Sequence, residues 1–242
     1  MPLIKTKGIN IKSIKVGEAD KIITLFTKEL GKISVIAKGA RRTTSKFGGR
    51  LELFSFNDYL LATGKSLYIA SQVETIESFY KLREKEDSLK AASFIVKLAD
   101  ASTEIKQKNP GLFDLLLDML HLLKGDGNPC TLKSVFELKL MDIEGFFPYL
   151  EGCVKCKRMV TKEPNKVTFN LSLGGLVCSA CSKKIFGGIV VPYELIKLIT
   201  KIKTNEPEDL KNLYIEPKDI EKLNLISKPY ISEHIGKDIR NW

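Results

Sequence analysis

Two pairs of cysteines restrict the fold of this chain more than any other feature of its sequence. Cys153 and Cys156 are separated by two residues, as are Cys178 and Cys181, and 21 residues lie between the two pairs. This spacing lets both sulfurs of a pair reach one ion from a tight turn, and two such turns supply four tetrahedral ligands. We therefore predict that the four cysteines bind one structural zinc ion.

Two other uses of these cysteines remain open, namely an iron–sulfur cluster and redox-active or unliganded thiols. A catalytic zinc site is disfavoured because it usually contains a histidine or carboxylate ligand, and His121 and His234 lie far from the cysteines in sequence. The fifth cysteine, Cys130, is expected to be a small buried residue.

The N-terminal sequence and the cysteines also indicate the cellular compartment of the protein. Residues 1–12 alternate charges with single apolar residues, unlike the apolar core of a secretory signal peptide. No apolar stretch approaches the roughly 18 residues that suggest a membrane span. We expect a cytoplasmic protein with no membrane partner, in which a reducing environment favours metal binding over disulfides.

Positive charge is concentrated at the start of the chain. The formal net charge is +10, and residues 1–50 alone contain twelve lysines and arginines but three acidic residues. Such an excess favours a polyanionic partner, either nucleic acid or an acidic protein tail.

Apolar residues alternate with polar ones between Gly8 and about Ile76, as in Ile33, Val35 and Ala37. Alternation of this kind indicates strands that are buried on one face, and the glycines between them mark turns. The first part of the chain is therefore predicted to form a small β-barrel of the OB type.

A basic, glycine-rich segment, residues 38–50, follows the strand that ends at Ala37 and precedes a further strand predicted at Leu51 and Leu53. Its cations neutralise phosphates, and Phe47 is placed to stack on a base. The alternative is a solvated loop without function. The candidate DNA-binding residues are Lys38, Arg41, Arg42, Lys46 and Arg50.

The segment contains no pattern that would read particular bases, so binding is expected to depend on salt and not on base sequence. Lys21 and Lys32 are expected to extend the same surface.

From residue 81 onward, apolar residues recur at helical spacing. Helices are predicted over 81–106, 112–123, 128–145 at the centre of a bundle, 192–202 and 217–235, with a kink or break at Pro229. The prediction is an α+β multidomain fold. An N-terminal OB-fold β-barrel occupies residues 1–80, and a C-terminal helical bundle over 81–242 contains an inserted four-cysteine zinc module at about 146–188.

Five segments carry a family resemblance: GEADKIITLFTKELG at 17–31, AKGARR at 37–42, SKFGG at 45–49, EGFFPYL at 144–150 and GGLVCSAC at 174–181. In this order and spacing they closely resemble the RecO family of bacterial recombination and repair mediators. The resemblance spans nearly the whole chain. It implies an OB-fold, a helical domain and an inserted zinc module.

The resemblance also implies a function without catalysis. It implies binding of single- and double-stranded DNA, annealing of complementary strands and cooperation with RecR. It further implies recognition of the acidic tail of single-strand-binding protein (SSB), so that RecA is loaded on SSB-coated DNA. The protein would be cytoplasmic and associated with the nucleoid when on DNA. Because some family members lack this cysteine site, a structural role is expected for the zinc.

Two functions of other classes remain as alternatives. One is an RNA-binding or ribosome-associated factor, since OB barrels and zinc ribbons also occur in that machinery. The other is a metalloenzyme or thiol redox switch that uses the cysteines.

Overall fold

The computed structural model describes residues 2–160 and 166–242. The chain divides by its internal contacts into two compact units, Met1–Asp126 and Gly127–Trp242. The domain boundary at residue 80 stays a prediction.

The first unit contains a closed barrel of five strands with the order β1-β2-β3-β5-β4. Neighbouring strands are antiparallel except β3 and β5, which are parallel. This arrangement confirms the predicted OB-like barrel. The strands are β1 (Leu3–Val16), β2 (Asp20–Thr27), β3 (Gly31–Ala37), β4 (Phe56–Thr63) and β5 (Tyr68–Glu77).

The interior of the barrel is filled by alternate residues of its strands, as the pattern in β3 predicts. Ile33, Val35 and Ala37 are almost completely buried. Leu51 joins this core from outside the strands, because it ends a short 3-10 helix, Gly48–Leu51. The strand predicted at Leu51 and Leu53 is therefore wrong, since this part of the chain turns to cover the barrel interior.

Two helices complete the first unit: α1 (Glu86–Ser102) and α2 (Pro110–Lys124). The ring of Phe113 in α2 lies 5.9 Å from that of Phe26 and 6.1 Å from that of Phe56. These contacts, one tilted and one edge-on, help to hold the helix against the barrel.

Lys32 of β3 joins the barrel to the end of α1. Its ammonium group donates to the carbonyl oxygens of Asp100 (2.7 Å) and Thr103 (2.6 Å) and to the carboxylate of Asp100 (2.9 Å). The expectation that Lys32 extends a DNA-binding surface is wrong, because only 7% of the residue is exposed. Its ammonium group instead donates hydrogen bonds to carbonyls at the C-terminal end of α1, where the helix itself supplies no N–H partners.

In the part of the chain that the structure describes, the second unit contains three long helices and a small antiparallel sheet of order β7-β6-β8. Its elements are α3 (Pro129–Ile143), β6 (Lys166–Asn170), β7 (Gly175–Val177), α4 (Ser179–Ser182), β8 (Ile189–Pro192), α5 (Tyr193–Thr204) and α6 (Pro217–Ile235). Helix α3 packs against both α5 and α6 and is buried on most of its surface, as predicted for the centre of a bundle.

Two local predictions in this unit differ from the structure. Of the kink or break predicted at Pro229, the break does not occur, because helix α6 runs from Pro217 to Ile235 without interruption. Pro229 has no N–H to donate to the carbonyl of Leu225, and Leu225 is 59% exposed, so the missing hydrogen bond falls on the solvent-facing side of the helix. Cys130 is exposed, since it lies in the first turn of α3. None of the helices in the described ranges is both long and apolar enough to cross a membrane.

Candidate nucleic-acid interface and metal centre

The basic segment, residues 38–50, exposes every cation that was predicted to bind DNA, namely Lys38, Arg41, Arg42, Lys46 and Arg50. Within the described residues, none of these five forms an ion pair with a carboxylate. Other lysines of the same unit do: Lys21 pairs with Glu52 at 3.2 Å and Lys28 with Asp114 at 2.7 Å. The basic segment therefore presents charge that the protein itself does not neutralise.

The basic segment lies against the turn between β1 and β2. The guanidinium of Arg41 donates to the carbonyl of Gly17 at 2.9 Å, and its backbone N–H donates to Ala19 at 2.8 Å. The backbone N–H of Gly39 donates to the carboxylate of Asp20 at 2.8 Å. These bonds hold the backbone in place and leave most guanidinium N–H groups of Arg41 for a ligand.

Buried polar side chains inside the barrel hold the far end of the basic segment. The amide of Asn57 donates to the carbonyl of Arg50 at 2.8 Å, and the amide of Asn10 donates to the carbonyl of Glu52 at 3.1 Å. The hydroxyl of Tyr59 donates to the amide oxygen of Asn10. Burial raises the pKa of Tyr59, so this hydroxyl remains a donor at neutral pH. The cations therefore project from a backbone that the barrel orients.

Phe47 does not take the role predicted for it. Its ring is 2% exposed and belongs to the barrel core. A base cannot stack on a buried ring, so the prediction of base stacking by Phe47 is wrong. The basic segment offers charge and hydrogen-bond donors, which suit phosphates.

The four paired cysteines form a cluster in the second unit. Their sulfur atoms all lie within 4.8 Å of one another, and those of Cys156 and Cys178 are 3.7 Å apart. Four sulfurs at the usual zinc–sulfur distance in a tetrahedron would be about 3.8 Å apart. The cluster therefore has the size and donor set of a site that holds a metal ion.

Backbone contacts beside Gly174 and Gly175 bring the two cysteine pairs together. The N–H of Tyr149 donates to Gly174 at 2.9 Å, and the N–H of Val154 donates to Leu176 at 2.8 Å. A Cβ atom on Gly175 would lie only 2.3 Å from the carbonyl oxygen of Tyr149. Glycine is required at that position because the two chain segments touch through their backbones.

Two thiols of the cluster, those of Cys153 and Cys181, differ in acidity. Burial alone would raise the pKa of Cys153, but backbone N–H groups, among them those of Cys156 and Cys178, outweigh it and lower the pKa to about 6. The pKa of Cys181 is raised to about 12, chiefly by its hydrogen bond with Cys178. The protein groups therefore do not by themselves ionise the Cys181 thiol at neutral pH, and a bound cation would supply the missing stabilisation.

Sequence reasoning missed a groove in the second unit, of about 710 Å³, between the segment 147–151 and helix α5. Its walls include the apolar side chains of Phe147, Met159 and Ile196, and its rim carries lysines of α5. The signal in the sequence was an apolar motif, EGFFPYL, in the same domain as a lysine-rich amphipathic helix. The lysines are Lys197, Lys201 and Lys203.

Comparison with known proteins agrees with this architecture. Residues 1–79 match the family model described as "Recombination protein O N terminal", and residues 83–242 match "Recombination protein O C terminal". The chain is 37% identical to a protein named "DNA repair protein RecO" from Alkaliphilus metalliredigens, over 97% of this chain and 95% of that protein.

Proteins of the same name from other bacteria are also similar. The one from Caldicellulosiruptor bescii is 32% identical, over 99% of this chain and 96% of its own length. The one from Bacillus cereus strain AH187 is 30% identical, over 96% of this chain and 92% of its own length. The matched ranges cover the barrel, the helices and the cysteine cluster, and the chain therefore belongs to the RecO family of DNA repair proteins.

Proposed function

We propose that this chain is a non-enzymatic, DNA-binding mediator of recombinational repair. It binds single- and double-stranded DNA, anneals complementary strands and, with RecR, helps load RecA on SSB-coated DNA in the cytoplasm. The observation that carries the proposal is the set of five exposed cations in the basic segment, none of which has a carboxylate partner within the described ranges.

Annealing requires no catalytic group. Two complementary strands repel each other through their phosphates, and a surface that displaces their counterions lowers this repulsion without any bond being made or broken. The exposed arginines and lysines of the basic segment supply such a surface, and the buried amides of Asn10 and Asn57 keep it oriented.

The experiment that tests this function compares two variants that lose the same charge. In the first, Arg41, Arg42 and Lys46 become alanine. In the control, Lys211, Lys218 and Lys222 become alanine; these lysines are ion-paired in the second unit. Binding to labelled single- and double-stranded DNA is measured by fluorescence anisotropy at several salt concentrations.

We expect the first variant to bind DNA more weakly. Its salt slope, the slope of log K against log salt concentration, should become shallower by about 0.7 per lost contact on single strands and by about 0.9 on duplexes. The control should bind like the wild type. Equal binding by all three proteins would contradict the assignment of the basic segment. A protein that prefers RNA to single-stranded DNA in competition at fixed salt would instead support an RNA-binding factor.

The cysteine cluster is proposed to hold one structural zinc ion. Four thiolates satisfy the tetrahedral preference of Zn²⁺ and leave no open position for a substrate or water. Bound zinc would stabilise the folded second unit, since Cys153, Cys156, Cys178 and Cys181 come from two separate turns of the chain. Metal analysis of the purified protein should find one zinc ion per chain.

The groove beside α5 is proposed to receive the acidic tail of SSB. Its apolar walls suit hydrophobic side chains of a peptide, and its lysine rim suits carboxylates. Lys203 lies 4.6 Å from the centre of the Phe147 ring and 3.5 Å from the carboxylate of Asp142, so a carboxylate of the peptide would compete with Asp142 for this cation. Lys201 is exposed and has no ion-pair partner in the described part of the chain.

Binding of a labelled peptide with an acidic C-terminus tests the groove. Changing Lys201 and Lys203 to glutamate should weaken binding at least tenfold, whereas the same change at Lys211 and Lys218 should not. Equal effects of the two pairs would show only a general response to net charge and would contradict the groove assignment.

A further inference from the structure

Phe186 is the most exposed large apolar side chain among the described residues. Its exposure is 102%, although a phenylalanine ordinarily gains by removing its ring from water. It stands in the short connection between α4 and β8, three residues from β8. An aromatic ring in this position offers both of its faces to a ligand.

The backbone that carries Phe186 is fixed on both sides. On one side, the N–H of Lys184 donates to Cys181 at 3.0 Å. On the other, the amide of the buried Asn170 donates to the carbonyl of Gly187 at 3.1 Å. Gly188 packs so closely on β6 that a Cβ atom would lie 2.6 Å from the methyl group of Thr168. Contacts on both sides of Phe186 therefore hold the backbone of the exposed ring in place beside the cysteine cluster.

The segment with Phe186 belongs to a part of the chain that is rich in exposed lysines. Lys183 and Lys184 directly precede the segment with Phe186, and both are exposed. The second cysteine pair lies against the first, since the four sulfurs lie within 4.8 Å, and this places the exposed Lys155 on the same module. In the described ranges none of these three lysines forms an ion pair, and residues 166–190 contain no acidic residue.

We infer that residues 183–188, which form the tip of the cysteine module at about 146–188, are a second nucleic-acid contact. This contact binds single-stranded DNA by stacking a base on Phe186. Lys183, Lys184 and Lys155 neutralise the neighbouring phosphates. Base stacking needs an accessible ring and unpaired bases, and the basic segment of the barrel cannot supply it because Phe47 is buried. The two surfaces therefore differ in what they recognise: charge at the basic segment, and charge with an unstacked base at Phe186.

The chemistry at the tip favours nucleic acid over other partners. A protein interface of useful size needs a broad apolar centre, whereas Phe186 and Val190 are the only exposed large apolar side chains of residues 181–190, a segment that also contains the exposed Lys183 and Lys184. Proteins instead bind single-stranded DNA with exposed aromatic side chains that lie beside positively charged residues. The inference rests on the proposed function, because it assumes that the chain binds DNA.

The test replaces Phe186 by alanine, leucine and tryptophan and measures binding to an oligothymidylate of about 30 nucleotides, longer than the roughly 4–16 that one OB barrel covers. Alanine and leucine should weaken binding by about 5- to 150-fold, the equivalent of one lost stacking contact. Tryptophan should retain it. The same variants should bind duplex DNA like the wild type, since paired bases cannot stack on the ring.

Two controls separate this result from a fault in folding or charge. Leu225, 59% exposed on α6, is replaced by alanine as a matched loss of an exposed apolar side chain. Replacing both Lys183 and Lys184 by alanine should lower the salt slope for single strands by about 1.4. Metal content and circular dichroism should be unchanged in all variants, since the altered side chains are exposed.

The outcomes distinguish this inference from the proposed function. If the wild type does not bind DNA, the proposed function fails. If the wild type binds DNA and the basic-segment variant is weakened, but F186A and F186L bind like the wild type, the second contact alone is refuted. Loss of binding to anionic vesicles or to a protein partner in F186A, without loss of binding to single strands, would also overturn it.

Discussion

The side-chain amide of Asn57 donates to the backbone carbonyl of Arg50 at 2.8 Å, so a residue inside the barrel orients the end of the basic segment. The same amide donates to the hydroxyl of Tyr59 at 3.0 Å. Asn57 is completely buried. A buried polar group thus links the stability of the barrel to the placement of its exposed charge.

This link predicts a specific effect of Asn57→Ala. The change leaves the carbonyl of Arg50 with one fewer donor and should lower the free energy of unfolding by about 1–3 kcal/mol. DNA affinity should fall because the cations lose their fixed arrangement, but the salt slope should stay unchanged because no cation is removed. Urea denaturation and anisotropy titrations at several salt concentrations measure the two effects. A reduced salt slope would contradict an orienting role.

Replacing Lys32 and replacing Arg42 should have opposite effects, although both are cations of the first 50 residues. Lys32→Met removes the donor to the carbonyls of Asp100 and Thr103 and should cost about 1–3 kcal/mol of stability. Arg42→Ala should leave stability within about 0.5 kcal/mol, because Arg42 is exposed, and should weaken DNA binding. Denaturation midpoints and DNA titrations of both variants check this contrast. Equal stabilities of the two variants would contradict it.

Removal of the metal should affect the two units differently. A chelator should abolish protection from hydrogen exchange in the cysteine module and the adjoining sheet, since the four cysteines then lose their common ligand. Protection of the barrel strands should persist, because the cluster lies wholly within the other unit. Exchange measured by mass spectrometry reports both regions in one experiment. Unchanged protection of the module would contradict a structural metal.

Glu137 on α3 predicts a pH-dependent stability. It is buried, it accepts a hydrogen bond from Ser227 of α6 at 2.5 Å, and its other oxygen has no partner among the described residues. Burial raises its pKa above the ordinary 4.5, and the hydrogen bond from Ser227 and the charges of Lys133 and Lys228 offset only part of this rise.

Because the folded state holds the proton more tightly than the unfolded state, the stability that Glu137 contributes is fully present below its unfolded pKa. That stability is lost as the pH rises through the folded pKa. Glu137→Gln should therefore increase stability relative to the wild type at pH 8 and have little effect at pH 4. Denaturation at both pH values tests this, and a variant less stable than the wild type at pH 8 would contradict it.

The sequence predicted best where a pattern corresponds to one geometry. Two CxxC pairs can reach a common ion only if their turns meet, so the cluster of Cys153, Cys156, Cys178 and Cys181 was predictable without a structure. The alternation in β3 likewise predicted which residues face the barrel interior.

Prediction failed where burial depends on distant parts of the chain. The segments K-F-G-G at 46–49 and K-I-F-G-G at 184–188 have nearly the same composition. Phe47 is buried in the barrel core, whereas Phe186 is fully exposed. Local sequence cannot distinguish the two, because only the assembled barrel determines which ring is covered. Lys32 was misassigned for the same reason, since its partners are 68 and 71 residues away.

The central claim is that the exposed cations of the basic segment carry DNA binding and annealing. The most direct test is the rate at which two complementary, fluorescently labelled strands anneal. The wild type is compared with the variant in which Arg41, Arg42 and Lys46 are alanine and with the control in which Lys211, Lys218 and Lys222 are alanine. We predict that the wild type and the control accelerate annealing equally and that the basic-segment variant is at least tenfold slower at moderate salt. Equal acceleration by the basic-segment variant would contradict the claim.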